Sequence, residues 1–349
     1  MIFMTLACIG TTEDTAADLP GGLDLFGNEA HSLEGLNFDL MADSADGLNE
    51  PRDLAFHTTA DELWVVNRGD DGVSIITSPG TDSQTSDSMR GSAHFLAQPS
   101  ALAFNADGDW ASIHEEDQKT QGPGGTPDDF MGPTLWTGNS DIFDGQHGSH
   151  LDMMHNSPNG MGITWEEENT FWVVDGYHGS LTRYAFNRDH DLGGTDHSDG
   201  EVERWVEGEI GYRANVSSHG VYDAETGTLY VADAGNARVV ALDTNSGSVG
   251  GTVGPNYDGG SYRSVDGADL SVVLEGNGGL SVPSGLAMRD GLLYVSDNTT
   301  GNLLAFDLDG ELVDWVPTGL TNLQGIEFDA DGNLWMVDGD ADEIWRLSN

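Results

Sequence analysis

The chain has 349 residues, with 60 Asp and Glu against 12 Lys and Arg, and carries a formal net charge of −48 at pH 7. A surface of that sign repels nucleic-acid phosphates and anionic headgroups, which argues against both as partners. With 37% hydrophobic residues and nine tryptophans the sequence is too apolar for a disordered acidic tail, and its 48 glycines point to many turns and short strands.

The chain begins with an apolar run, Met1 to Cys8, ending Leu6-Ala7-Cys8 and followed by the polar stretch Gly10 to Thr15. This resembles the end of a bacterial lipoprotein signal, in which the cysteine becomes the lipidated first residue. The run is shorter than a signal peptide needs and has no basic start. The expectation is a signal- or lipoprotein-like N-terminus and acidic linker over 1–30, and a secreted protein or one lipid-anchored at Cys8. A plain unstructured N-terminus is the alternative. Cys8 is the one cysteine, so no intrachain disulfide is expected. No stretch approaches the roughly 18 apolar residues of a membrane span.

Six copies of one unit follow: Pro51–His57 with Leu63–Asn67, Pro99–Asn105 with Trp110–His114, Gly160–Trp165 with Phe171–Asp175, Ser218–Asp223 with Leu229–Asp233, Pro283–Met288 with Leu292–Asp297, and Leu323–Phe328 with Leu334–Asp338. Each is an apolar strand, a polar turn and a second apolar strand. Turns such as Asn105–Gly108 and Asp329–Gly332 are hairpin signals, because Gly supplies the positive φ a tight connection needs. A third strand is legible at Val73–Ile76, Leu181–Phe186, Val239–Leu242, Leu303–Phe306 and Ile344–Leu347. A fourth is legible at His94–Leu96, Val202–Val206 and Leu312–Val316.

Four antiparallel strands in a unit of about 40 residues is the signature of a β-propeller. The expected fold is all-β: a six-bladed β-propeller over 31–349, with an insertion at about 115–158. The sixth unit stops after its third strand, and Leu36–Leu40 is the strand left to complete it, which would remove an open edge. The second-strand aromatics Trp64, Trp172, Tyr230, Tyr294 and Trp335 are expected in the core between blades.

The units resemble NHL-type repeats, the six-bladed propeller family that includes the peptidyl-α-hydroxyglycine lyases; Gly220–Asp223 with Leu229–Val239 is the best single match. The resemblance spans 51–349. It implies the fold, and it implies histidines lining the channel with an Arg and a Tyr assisting. Here His219 alone matches such a histidine, with Arg52 and Tyr177 available for the assisting roles.

Propeller topology sorts residues by face. Loops into first strands and between strands two and three share what is here termed the upper face; the other turns share the lower face. Arg52, Ser100, Met161, His219, Ser284 and Gln324 are equivalent and line the upper channel mouth. His114, His147, His150, His155, His178 and His219, with Asp152, are expected to gather over blades two to four. Imidazoles and carboxylates together suit Zn, Cu, Fe or Mn, and Met153, Met154 and Met161 would suit copper. His155, His178 and His219 are the preferred trio. The plainer reading is of loop histidines satisfied by hydrogen bonds.

A second cluster, Asp189, Asp191, Asp196 and Asp199, falls on the lower face. Alternating oxygen donors with glycines fit Ca²⁺, although the spacing is not an EF-hand, and a solvated acidic loop is the alternative. Asp329–Gly332 reads as a turn. No phosphate loop or nucleophile elbow is present, and Lys119 is the only lysine, which disfavours Schiff-base chemistry.

Two functions stay open. One is a metal-dependent lyase or hydrolase at the upper mouth, with Asp175, Glu115 or Glu116 as base, Tyr177 assisting, and Arg52 or Arg68 binding an anionic group. The other is a cell-surface or secreted module that binds a small molecule, peptide or glycan, or serves assembly.

Overall fold

The computed structural model describes residues 26, 31–91, 95–117, 127, 131–188, 190–276 and 279–349. Cys8 and Asp189 lie outside the described residues. Among those described, no helix is long and apolar enough to cross a membrane.

The strand β1 (Asn37–Ala42) precedes the first blade. Blade one is β2 (Pro51–Phe56), β3 (Glu62–Asn67), β4 (Gly72–Thr77) and β5 (Thr85–Arg90). Blade two is β6 (Pro99–Phe104), β7 (Trp110–His114), β8 (Met131–Trp136) and β9 (His150–His155). Blade three is β10 (Gly160–Glu167), β11 (Thr170–Asp175), β12 (Ser180–Ala185) and β13 (Glu201–Trp205). Blade four is β14 (Gly220–Asp223), β15 (Thr228–Asp233), β16 (Arg238–Asp243) and β19 (Asp269–Glu275), interrupted by β17 (Ser248–Thr252) and β18 (Ser261–Asp266). Blade five is β20 (Pro283–Arg289), β21 (Leu292–Asp297), β22 (Asn302–Asp307) and β23 (Leu312–Pro317). Blade six is β24 (Leu323–Phe328), β25 (Leu334–Asp338) and β26 (Glu343–Ser348), completed by β1, which pairs antiparallel with β26. The protein is therefore a six-bladed β-propeller closed by its N-terminal strand.

Three features differ from the sequence expectation. The 115–158 stretch holds β8 and β9, the third and fourth strands of blade two. Gly132 and Pro133 break the apolar alternation in β8 that would have revealed it. The fourth strand of blade one is β5, not His94–Leu96. Its sequence, Thr85 to Arg90, is polar because it is an outer, largely exposed edge, whereas Phe95 and Leu96 are buried between blades one and two. A further excursion, 244–268, interrupts blade four. Its strand β18 pairs in parallel with β13, extending blade three to six strands.

The second-strand aromatics form the core as expected. Trp64, Trp172 and Trp335 are at most 2% exposed, and Trp64 packs edge-on against Trp110 with centroids 5.5 Å apart. The glycine repeated early in first strands has a steric cause. A Cβ on Gly162 would lie 2.0 Å from the Ser218 carbonyl oxygen, and one on Gly285 would lie 2.3 Å from that of Gln324. Neighbouring inner strands approach too closely there for any side chain.

Candidate functional site

The upper channel mouth is filled by the chain itself. The segment entering blade four, Tyr212 to Ser218, lies across it and bonds to five of the six positions expected to line it, all but His219. Arg52 Nη1 donates to the Asn215 carbonyl. Ser217 donates through its amide to Gln324 Oε1 at 3.0 Å and through its hydroxyl to the Ser100 carbonyl at 3.0 Å. Ser218 N donates to the Met161 carbonyl at 2.8 Å, and Ser284 Oγ donates to the Ser217 carbonyl at 2.9 Å. Glu115 holds the outer end: Oε1 accepts from Tyr212 Oη (3.0 Å) and Asn215 N (2.7 Å), and Oε2 from Arg68 Nε (3.1 Å). Ser217, Ser218, Ser100, Ser284 and Gln324 are at most 1% exposed, so the inner end of the plug is packed core, while its outer end from Tyr212 to Asn215 is exposed. Burial lowers the Arg52 pKa, against the opposing charge of Glu115.

Each ring of the preferred histidine trio faces its own carboxylate, and the three are not among the residues whose donor atoms lie within 4.8 Å of one another. His178 Nδ1 is 2.7 Å from Asp175 Oδ2, His155 Nδ1 is 2.8 Å from Asp258 Oδ1, and His219 Nδ1 is 3.2 Å from Asp53 Oδ2. Burial opposes the Asp258 charge, yet hydrogen bonds from His155 and Tyr262 outweigh it and hold its pKa below the ordinary range. His114 is fully buried, with Nε2 2.7 Å from the Phe95 carbonyl. His150 sits at the other end of its strand from His155: it pairs with Trp136, which pairs with Trp110 at the start of β7. His147 and His150 are therefore on the lower face, not the upper.

Asp175 occupies a structural position that recurs around the ring. Its Oδ1 accepts the amides of Tyr177 and His178. The equivalent Asp297 and Asp338 likewise accept from Thr299 and Thr300, and from Asp340 and Ala341. The Asp that ends second strands thus pins the turn after it. Tyr177 is 45% exposed, at the rim. Asp329 also serves its own turn, accepting from Asn333 and Trp335.

Below the plug, the channel opens on the lower face as a chamber of about 400 Å³ lined by all six innermost strands. Phe56, Phe104, Trp165, Tyr222, Met288 and Phe328 give it an apolar, mainly aromatic wall. At its inner end stand Asp53 and His219. Asp53 Oδ1 accepts from Leu54 N and Oδ2 from Leu102 N at 3.0 Å, while His219 Nε2 is buried with no hydrogen-bond partner. Glu327 also lines the chamber. Its Oε2 accepts from Phe56 N at 2.9 Å, but burial, helped by the charge of Asp53, pushes its pKa up to about 8. Near neutral pH it is a carboxylic acid, able to donate a hydrogen bond into an aromatic cavity. The chamber therefore combines stacking surface, a neutral donor and an oriented imidazole.

The sequence reading passed over Asp53 and Glu327, although the repeat carries a signal for both. Asp53 stands where other copies have Ala101, Gly162, Gly220, Gly285 and Gly325. Glu327 stands where they have Ala55, Ala103, Thr164, Tyr222 and Ala287.

A second constellation joins the two clusters that the sequence suggested separately. Asp152 of β9 and Asp199 of the blade-three loop come together around His190, with donor atoms of the three residues within 4.8 Å of one another. It is the only such His, Cys, Asp or Glu group among the described residues. Asp191 and Asp196 are not part of it, and Asp196 is tied to Ser198.

No protein-family model and no curated protein sequence matches the chain. Solved structures of similar fold include an auxiliary nutrient binding protein from Bacteroides ovatus, with 12% identity and a TM-score of 0.57 over 89% of this chain and 73% of that one. Virginiamycin B lyase from Staphylococcus aureus is similar at 11% identity and TM-score 0.53, over 90% and 99% of the two chains. A gluconolactonase from Xanthomonas campestris is similar at 14% identity and TM-score 0.53, over 91% of each. The likeness is one of fold, and at that level it agrees with the NHL-like propeller expected from the repeats.

Proposed function

We propose that this propeller is an extracytoplasmic binding protein whose site is the lower chamber, and that its ligand is a small neutral polyhydroxylated molecule such as a saccharide. The observation that carries this reading is the chamber itself: a channel stoppered at one end by Tyr212–Ser218 becomes a blind, aromatic-walled pocket of the size small ligands use. Aromatic faces stack on the C–H faces of sugars, while Glu327 and His219 supply directional hydrogen bonds. The net charge of −48 disfavours anions. Nutrient binding is named for one of the similar structures, a use of the fold in keeping with this reading. An acidic surface with one lysine also suits a protein working outside the cytoplasm.

The test is calorimetric titration of the full chain with neutral mono- and disaccharides, with Trp fluorescence in parallel. Ala103→Trp fills the chamber from one inner strand and is expected to abolish binding while leaving the fold intact. Absence of binding across the panel, or binding that survives Ala103→Trp, would sink the proposal.

The unpartnered Nε2 of His219 favours a second reading, acid–base chemistry on the same ligand, with Asp53 orienting the ring. Turnover of a saccharide lactone that is lost in His219→Ala with binding retained would select this reading over simple binding.

A further inference from the structure

The lower-face seam between blades two and three presents an arrangement that hydrogen bonding alone leaves incomplete. Asp152 lies mid-strand in β9 and is fully buried. The loop between β12 and β13 folds back over it, its Gly193 amide donating to the His150 carbonyl at 2.8 Å. Asp152 Oδ1 accepts from Met153 N at 2.7 Å and faces His197 Nδ1 at 2.5 Å. Its Oδ2 lies 3.2 Å from His190 Nε2 and has no hydrogen-bond partner. The same His190 nitrogen is 3.1 Å from Asp199 Oδ1. One N–H serves one acceptor well, and here two carboxylate oxygens converge on a single nitrogen. A buried carboxylate oxygen left unmatched is costly. A divalent cation in place of that proton would satisfy all three groups at once.

We infer that Asp152, His190 and Asp199 form a site for a divalent transition metal of the zinc class, clamping the blade-three loop to the outer strand of blade two. The donor set is mixed imidazole and carboxylate, which suits Zn²⁺, Mn²⁺ or Fe²⁺; Ca²⁺ seeks six to eight oxygens. His197, on the other oxygen of Asp152, would orient that ligand, as partners of metal-binding carboxylates do. An independent observation points the same way. His150 is fully buried, and its ring centroid is 6.2 Å from that of His197. His150 and His197 share the wall of a cleft of about 530 Å³ with His147, His155 and Asp258, beside the seam. This site is separate from the central chamber and stands whether or not the chamber binds saccharide.

The experiment uses the full chain stripped with chelator and titrated with Zn²⁺ alone by calorimetry, then with Co²⁺ read by its visible absorption. The expected result is one ion per chain, a raised melting temperature, and Co²⁺ bands that identify nitrogen ligation. His190→Ala and the more exposed Asp199→Asn should each weaken binding about 10–100-fold, with far-UV circular dichroism confirming that both fold. His178→Ala, at another carboxylate on another face, should bind as the wild type does. Failure to reach one ion per chain, or equal affinity in both folded seam variants, would overturn the assignment and leave the two histidines as plain counter-charges. Tight Ca²⁺ binding indifferent to His190→Ala would overturn it in favour of an oxygen-only loop.

Discussion

His219 Nδ1 and Asp53 Oδ2 meet at 3.2 Å across the channel, joining inner strands of blades four and one, which stand three blades apart in the ring. Asp53 also accepts two backbone amides from blades one and two, so this carboxylate ties three blades together. Its removal therefore costs more than removal of its partner. Asp53→Ala should destabilise the protein by about 2–4 kcal/mol, because the buried Leu102 amide and His219 both lose an acceptor. His219→Ala should cost roughly half as much, since Asp53 keeps its two amides. Urea unfolding at pH 7 checks the order, and an equal or inverted loss would show that His219 is the main tie.

Glu327 makes stability depend on pH. The folded protein holds this proton up to about pH 8, whereas the group's ordinary value is 4.5. Between those values the native state binds more protons than the unfolded chain, so this group's contribution falls as pH rises and levels off above 8. Glu327→Gln keeps an acceptor for Phe56 N and removes the ionisation. The variant should match the wild type near pH 4.5 and exceed it at pH 8.5 by on the order of 1 kcal/mol or more. Parallel slopes for the two proteins between pH 5 and 8 would contradict a neutral acid at this position.

The acids at second-strand ends should behave as turn pins, and in proportion to what they hold. Asp297 accepts from Thr299, Thr300, Ser281 and Val282 amides. Asp297→Ala is thus expected to cost about 2–4 kcal/mol and to raise amide exchange in both segments. Asp175→Ala should loosen Tyr177 and His178 in the same way. Unchanged melting temperature and amide exchange in Asp175→Ala would show that this carboxylate does not pin its turn.

What the sequence made legible follows from what the repeat encodes. The first two strands of the blades are mostly buried on both faces, β14 being only partly so, and their apolar runs and turn glycines could be read six times over. Outer strands such as β5 face solvent and β8 contains Gly132 and Pro133, so neither carries a pattern. The faces of the ring followed from topology, and Arg52, Ser100, Met161, Ser284 and Gln324 bond to the plug at the upper mouth, whereas His219 lines the chamber below it. That the chain would supply its own plug depends on the path of Tyr212–Ser218, which no periodicity specifies. The histidines misled for the same reason: His150 and His155 are five residues apart, and a strand of that length carries them to opposite faces. Asp53 and Glu327 were visible as charged residues at positions that the other copies fill mainly with Gly or Ala. Reading deviations from the repeat, rather than clusters of one residue type, finds the chamber.

The closing strand gives the last prediction. β1 supplies the outer edge of blade six by pairing Asn37 to Ala42 with Ser348 to Ile344, and Phe38 stacks on Trp345 with centroids 4.6 Å apart. Phe26 lies buried in the core shared by blades five and six, where its amide donates to Asp314 Oδ2 at 3.1 Å. A chain beginning at Asp43 would lose both and expose the amide and carbonyl row of β26, whose sequence from Glu343 to Ser348 is half apolar. An unpaired edge of that kind recruits another strand. The truncated chain should melt at lower temperature and form dimers or larger species on size exclusion, and a synthetic peptide of residues 31–43 should return it to monomer. A truncated chain that stays monomeric with unchanged melting would mean that the ring is closed by blade packing alone and that β1 is an ornament of the edge.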